Sequence, residues 1–341
     1  MVKNTPTIEE WRGLYEAAVR VKKMAPWEWM TEAHVFGVQD PETREIGFVS
    51  VMGMLGEYYA ISFYPNPEAL YSFLTLQEMG PDINPDVLLE IPQLHASFED
   101  RGELHNKDRE VIKELGLKFR GRKEWPMFRS YRPGFAPWFV ESEEARLLTH
   151  ALNQLTDVAP RFAEDPSLLE PPGVERYLVR VSHEEGGALL WEDRQMEVPP
   201  PELSPIEIEV DFRAFDDLGG LTRRGELEMD LFMLPTPIMK GKDRPFFPCM
   251  LLAVDTGSGM VIGHDLLTAD PSLEAMWASI PQTVIEQFAA TAILPERVTV
   301  GSEPLYGLLQ PLAESLDFEL EYSDTLLILD QVREFMLQSI E

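Results

Sequence analysis

The residues best suited to chemistry crowd into one short stretch. Between Leu117 and Val140, "LKFRGRKEWPMFRSYRPGFAPWFV", the cations Lys118, Arg120, Arg122, Lys123, Arg129 and Arg132 stand among Phe119, Trp125, Phe128, Tyr131, Phe135, Trp138 and Phe139. Arginine forks take phosphate or carboxylate through paired hydrogen bonds, and neighbouring aromatic rings stack on a base or another flat ring. The candidate ligand-binding residues are therefore Arg120, Arg122, Arg129 and Arg132, with Trp125 and Tyr131 beside them. A structural reading competes, in which the cations neutralise acidic faces of the protein itself and Trp125, Phe128, Trp138 and Phe139 fill a core or a domain interface. Three prolines and one glycine in "WPMFRSYRPGFAPW" predict a fixed irregular loop within the segment 117–140.

That segment is at odds with the rest of the chain. Six cations and one acid, Glu124, fall within 118–132, against 59 acidic and 29 basic residues over 341, so the stretch is locally about +5 in an acidic molecule. A formal charge of −30 repels polyanions at long range, which disfavours general nucleic-acid binding and anionic membranes. A single cysteine, Cys249, excludes an internal disulfide and any cysteine-clustered metal site. Together with the lack of a secretory pattern or an apolar run of membrane-spanning length, it predicts a cytoplasmic protein.

Other motifs carry less chemistry. "AVDTGSG" (253–259) has the wording of an aspartic-protease loop, but only one copy exists and a long helix follows. A tight hairpin loop closed by Asp255 accounts for it better. The six histidines show no pair at metal-ligand spacing, and neither G-x-x-x-x-G-K nor G-x-G-x-x-G occurs, so nucleotide cofactors have no motif behind them.

The elements that must carry these residues follow from periodicity. Thr7 and Glu10 have capping-box spacing ahead of Trp11, Leu14, Tyr15, Ala18 and Val21, with Pro26 as the stop, which predicts a first helix. "HVFGVQDPETREIGFVSVMG" reads as two strands around an Asp-Pro turn and "EYYAISFY" as a third. Helices are expected around 67–78, around 106–115 and from 142 to about 158, and "VERYLVRVS" with "GALLWEDRQMEV" reads as a hairpin,. The charge-rich stretch 97–116 reads as partly helical, with Val111, Ile112 and Leu115 inward. These patterns give an N-terminal α+β domain over 1–197, a proline-rich linker at 198–205 and a second domain over 206–341. In the second, three antiparallel strands ("ELEMDLFML", "FPCMLLAVD", "GMVIGHDLL") precede two strands that alternate with helices.

That order resembles the ribonuclease-H-like fold of transposase and integrase cores. The resemblance implies a mixed-sheet domain and an acidic site for Mg or Mn, with Asp230 on the first strand, Glu303 near the end of the fourth and Glu334 or Asp330 on the closing helix. Ser302 stands where a carboxylate would, which points to a degenerate member. The whole chain also resembles a bacterial two-domain family of unknown function through "GLKFRGRKEWPMFRSYRPGFAPW", "EARLLTHAL", "EMDLFMLP" and "VGSEPLYGLL". Two functions are thus expected: a non-catalytic binding or interaction module for an anionic ligand or a protein partner, or a metal-dependent phosphodiesterase or nuclease using Asp230, Glu303 and Glu334.

Overall fold

A computed structural model describes residues 4–79, 91–169, 176–201, 222–241 and 243–338. The chain divides into two compact units, Met1–Arg132 with Pro137–Glu202, and Pro133–Ala136 with Leu203–Glu341. Each is α+β.

The first unit opens with α1 (Ile8–Met24). Thr7 caps it, its hydroxyl accepting from the Glu10 amide while the Glu10 carboxylate accepts from the Thr7 amide, so two of the orphan donors at the helix start are satisfied. Then follow β1 (Phe36–Gln39), β2 (Ile46–Met52), β3 (Ala60–Tyr64), α2 (Pro67–Met79), β4 (Gln93–Glu99), α3 (Asn106–Glu114), β5 (Trp125–Tyr131), α4 (Ser142–Glu164), β6 (Arg176–Glu185) and β7 (Ala188–Glu197). The strands form one sheet in the order β5-β4-β3-β2-β1-β6-β7, antiparallel except where β6 joins β1 in parallel.

Strand alternation sorts the side chains to two faces. Val49, Val51, Ile61, Phe63, Ala96 and Phe128 pack with α1 and α4 into the main core. Phe48 and Tyr64, directly opposite one another across β2 and β3, turn the other way onto Leu70 and Phe73 of α2. Of the proline-rich segment, residues 202–205 lie outside the described residues, as does the start of the second domain at 206–221. Val198 is buried in the α2 cluster, and its carbonyl accepts from the Tyr71 hydroxyl at 2.7 Å.

Two features depart from the sequence reading. The stretch 93–99 is a full strand, β4, running into the region read as a charged helix. The first half of the expected loop is also a strand, β5. Pro126 does not break it because β5 is the sheet's edge, where a residue without an amide proton forfeits no ladder bond.

The second unit contains β8 (Thr222–Arg223), β9 (Glu226–Met233), β10 (Cys249–Asp255), β11 (Val261–Leu267), α5 (Leu273–Thr291), β12 (Ile293–Leu294), β13 (Arg297–Val300), α6 (Glu303–Leu316), β14 (Glu319–Tyr322) and α7 (Leu327–Gln338). Its main sheet runs β11-β10-β9-β13-β14, a mixed sheet in which β9, β10 and β11 are antiparallel while β13 and β14 add in parallel. Leu251 and Ala253 face α5 and α6, and Met250, Leu252 and Val254 face α7. Residues 133–136 belong to this unit: the Ala136 amide donates to the Pro245 carbonyl at 2.9 Å and the Phe247 amide to the Gly134 carbonyl at 2.8 Å. Gly134 has φ +77°, and a Cβ there would stand 2.4 Å from that of Ala269, so this strip of chain lies flush because the residue is glycine.

Candidate anion-binding pocket

The connection from β4 to β5 brings cations together around a depression whose lining holds no acid. After β4 the chain turns through Arg101 and enters α3, whose inward residues Asp108 and Ile112 are buried. One position on, Arg109 and Lys113 repeat that i, i+4 spacing on the adjacent strip of the helix. Gly116, at φ +71°, ends the helix in the left-handed conformation that glycine takes at least cost. The chain then runs back through Lys118, Phe119 and Arg120 to Trp125 at the start of β5.

These turns border an open surface depression of about 530 Å³ whose lining includes the exposed Arg101, Lys113, Lys118 and Arg120 and the half-buried Arg109. Phe119 and Trp125 form its aromatic wall, their rings 5.8 Å apart at 61°, and Ile112 and Leu117 supply apolar surface. The Arg101 guanidinium lies 5.8 Å from the centre of the Trp125 ring, a cation–π distance. Arg109 donates to Asn106 Oδ1 at 2.5 Å. Among the described residues none of the five cations forms an ion pair, and no carboxylate lines the cavity.

The other cations of 117–140 have internal partners, and four of the six expected ligand-binding residues lie outside the cavity lining. Arg129 is buried and grips Asp108 with both terminal nitrogens, at 3.0 and 2.7 Å, while its guanidinium stacks 4.8 Å from the Phe139 ring. Arg132 bridges Glu141 and Glu144 at 3.2 and 2.8 Å, and burial works against its charge less than these carboxylates favour it. Lys123 donates to the carbonyls of Gly56 and Glu57. Arg122 is 88% exposed and points to Asp100 at 3.5 Å. Tyr131 meets the buried His95 edge-on, and burial raises its hydroxyl pKa while holding that of His95 down to about 4. Arg120 and Trp125 alone are brought together. The expected ligand-binding set missed Arg101, Arg109, Lys113 and Lys118, although the repeat of Arg109 and Lys113 beside the inward Ile112 was a usable signal.

The expected carboxylate site of the second unit is not assembled. Among the described residues no three His, Cys, Asp or Glu side chains are placed to hold a metal ion. Asp230 sits on β9 beside Gly301 at the end of β13, but Glu303 is exposed on the first turn of α6 and Glu334 is exposed on α7, bonded to Gln338. The group that reaches Asp230 is a cation of the protein itself: Arg333 stands 3.6 Å from it and 2.8 Å from Asp330. Burial raises the Asp230 pKa, with Arg333 pulling against that rise. A guanidinium beside the half-buried Asp230 carboxylate does not fit a divalent-cation site,. The "DTGSG" loop is a hairpin turn, with Asp255 accepting from the Ser258 amide and hydroxyl at 2.7 and 2.6 Å.

Residues 11–180 match the family model of a domain of unknown function, DUF7309, and residues 221–337 match that of another, DUF6930. The chain carries two domains of unknown function. The first match encloses every residue of the cationic cavity, and the second encloses Asp230 and Arg333. No curated protein matches the chain. Among the described residues no helix is long and apolar enough to cross a membrane.

Proposed function

We propose that the chain is a binding module whose first unit captures a compact anion in the cavity between α3 and the start of β5. The observation that carries this reading is the unpaired state of Arg101, Arg109, Lys113, Lys118 and Arg120 around one cavity, in a chain with twice as many acids as bases. Cations left over in an acidic protein have internal partners to choose from, as Arg129 and Arg132 have found. Five held together without one make a site prepared for negative charge. Pyrophosphate should raise the melting temperature of the intact protein by mass action, and Arg109→Glu with Lys113→Glu should remove that shift. No shift, or one that survives the substitutions, overturns the reading and leaves a protein partner as the better explanation.

For the second unit, the strand order with β9 central, an antiparallel β9-β10-β11 meander and parallel additions supports a ribonuclease-H-like fold in which Arg333 takes the part of a cation. A phosphodiesterase activity through Asp230, Glu303 and Glu334 is the other reading, and the exposed positions of Glu303 and Glu334 and the Arg333 contact to Asp230 count against it. A melting shift with Mn²⁺ that Asp230→Asn abolishes would favour it.

A further inference from the structure

We infer that the cationic cavity is a nucleoside diphosphate site, in which the phosphates meet the arginines and lysines and the flat ring lies against Trp125. The inference rests on the anion-binding reading above and adds the chemical class.

The charge indicates phosphate. Three of the five unpaired cations are arginines, whose planar forks match phosphate oxygens pairwise, and each terminal phosphate carries roughly −1.5 to −2 at neutral pH. A lone carboxylate would leave most of the five uncompensated, whereas a diphosphate engages several together.

The walls indicate a ring. Phe119 and Trp125 both line the cavity, and Arg101 already lays a planar guanidinium over the indole at 5.8 Å. A face that holds a flat delocalised cation also stacks a base, with the displaced arginine free to turn to the phosphates. At about 530 Å³ the open depression has room for a nucleotide laid along its wall.

Net charge selects a small ligand over a polymer. An oligonucleotide that filled the cavity would extend over surface belonging to a chain of −30, and each further phosphate would be repelled. A mononucleotide ends where the cations end.

The test is a titration of the intact protein, read by tryptophan fluorescence and calorimetry, with ADP, GDP, UDP, pyrophosphate and a short single-stranded oligonucleotide. The tightest nucleoside diphosphate should bind about tenfold or more tighter than pyrophosphate, the usual worth of one stacked base. Trp125→Ala should reduce it to pyrophosphate affinity without weakening pyrophosphate, and Trp125→Phe, which keeps a ring in the strand, should retain most of the difference. Equal binding of nucleotides and pyrophosphate overturns the inference and leaves the anion reading standing. Binding of none overturns both, and an oligonucleotide tighter than every mononucleotide replaces this class with a polymer.

Discussion

Arg129 and Arg120 are nine residues apart and have opposite fates. Arg129 points into the protein and neutralises Asp108, with both side chains under a tenth exposed, whereas Arg120 lines the depression and has no carboxylate partner among the described residues. Removing one member of a buried ion pair strands the other, at a cost of about 3–5 kcal/mol. Arg129→Ala should therefore lower the melting temperature by roughly 10 °C, and Arg129→Met with Asp108→Leu should recover most of the loss. Because the pair lies outside the cavity lining, a pyrophosphate-induced shift should persist in the double variant; its disappearance would show that Arg129 serves the ligand. The cluster of basic residues was legible in the sequence, but the sorting was not. Asp108 lies 21 positions before Arg129, and a partner chosen across a fold leaves no trace in local spacing.

Elements were read best where local chemistry decides them. The capping box at Thr7 and the buried stripe of α1 needed nothing beyond their own residues. The second sheet's order of strands and helices was likewise legible, because β13 alternates buried and half-buried residues, β10 is a short apolar run covered on both faces, and the helices between them have helical spacing,. β5 was hidden by Pro126, which is tolerated only because that strand is an edge, a fact about the sheet and not about the strand. β4 was hidden by the charged run that follows it, though Leu94, Ala96 and Phe98 alternate with Gln93, His95 and Ser97. A glycine in β2 gives a sharper test of sheet packing. Gly47 lies under the Phe63 ring, and a Cβ added there would fall 2.0 Å from Phe63 Cζ. Gly47→Ala should cost about 1–3 kcal/mol through overpacking, visible as a lower denaturant midpoint with an unchanged slope. An unchanged midpoint would mean that Phe63 swings aside freely.

At the scale of the molecule, a formal charge of −30 keeps the chain dispersed and sets the background against which a patch of positive charge attracts ligands. Its two compact units are not consecutive lengths of chain, because Pro133–Ala136 count with the second. The backbone consequently passes from one unit to the other three times. A protease that nicks near residue 200 severs one passage and leaves a fragment whose residues 134 and 136 still hold hydrogen bonds to Phe247 and Pro245. The two pieces should co-elute on gel filtration and separate only in denaturant, whereas separate elution under native conditions would refute this. Such a nicked protein would behave as a complementation pair, the first fragment supplying residues 133–136 to the second unit. A gene split at the proline-rich segment would then yield subunits and not independent proteins.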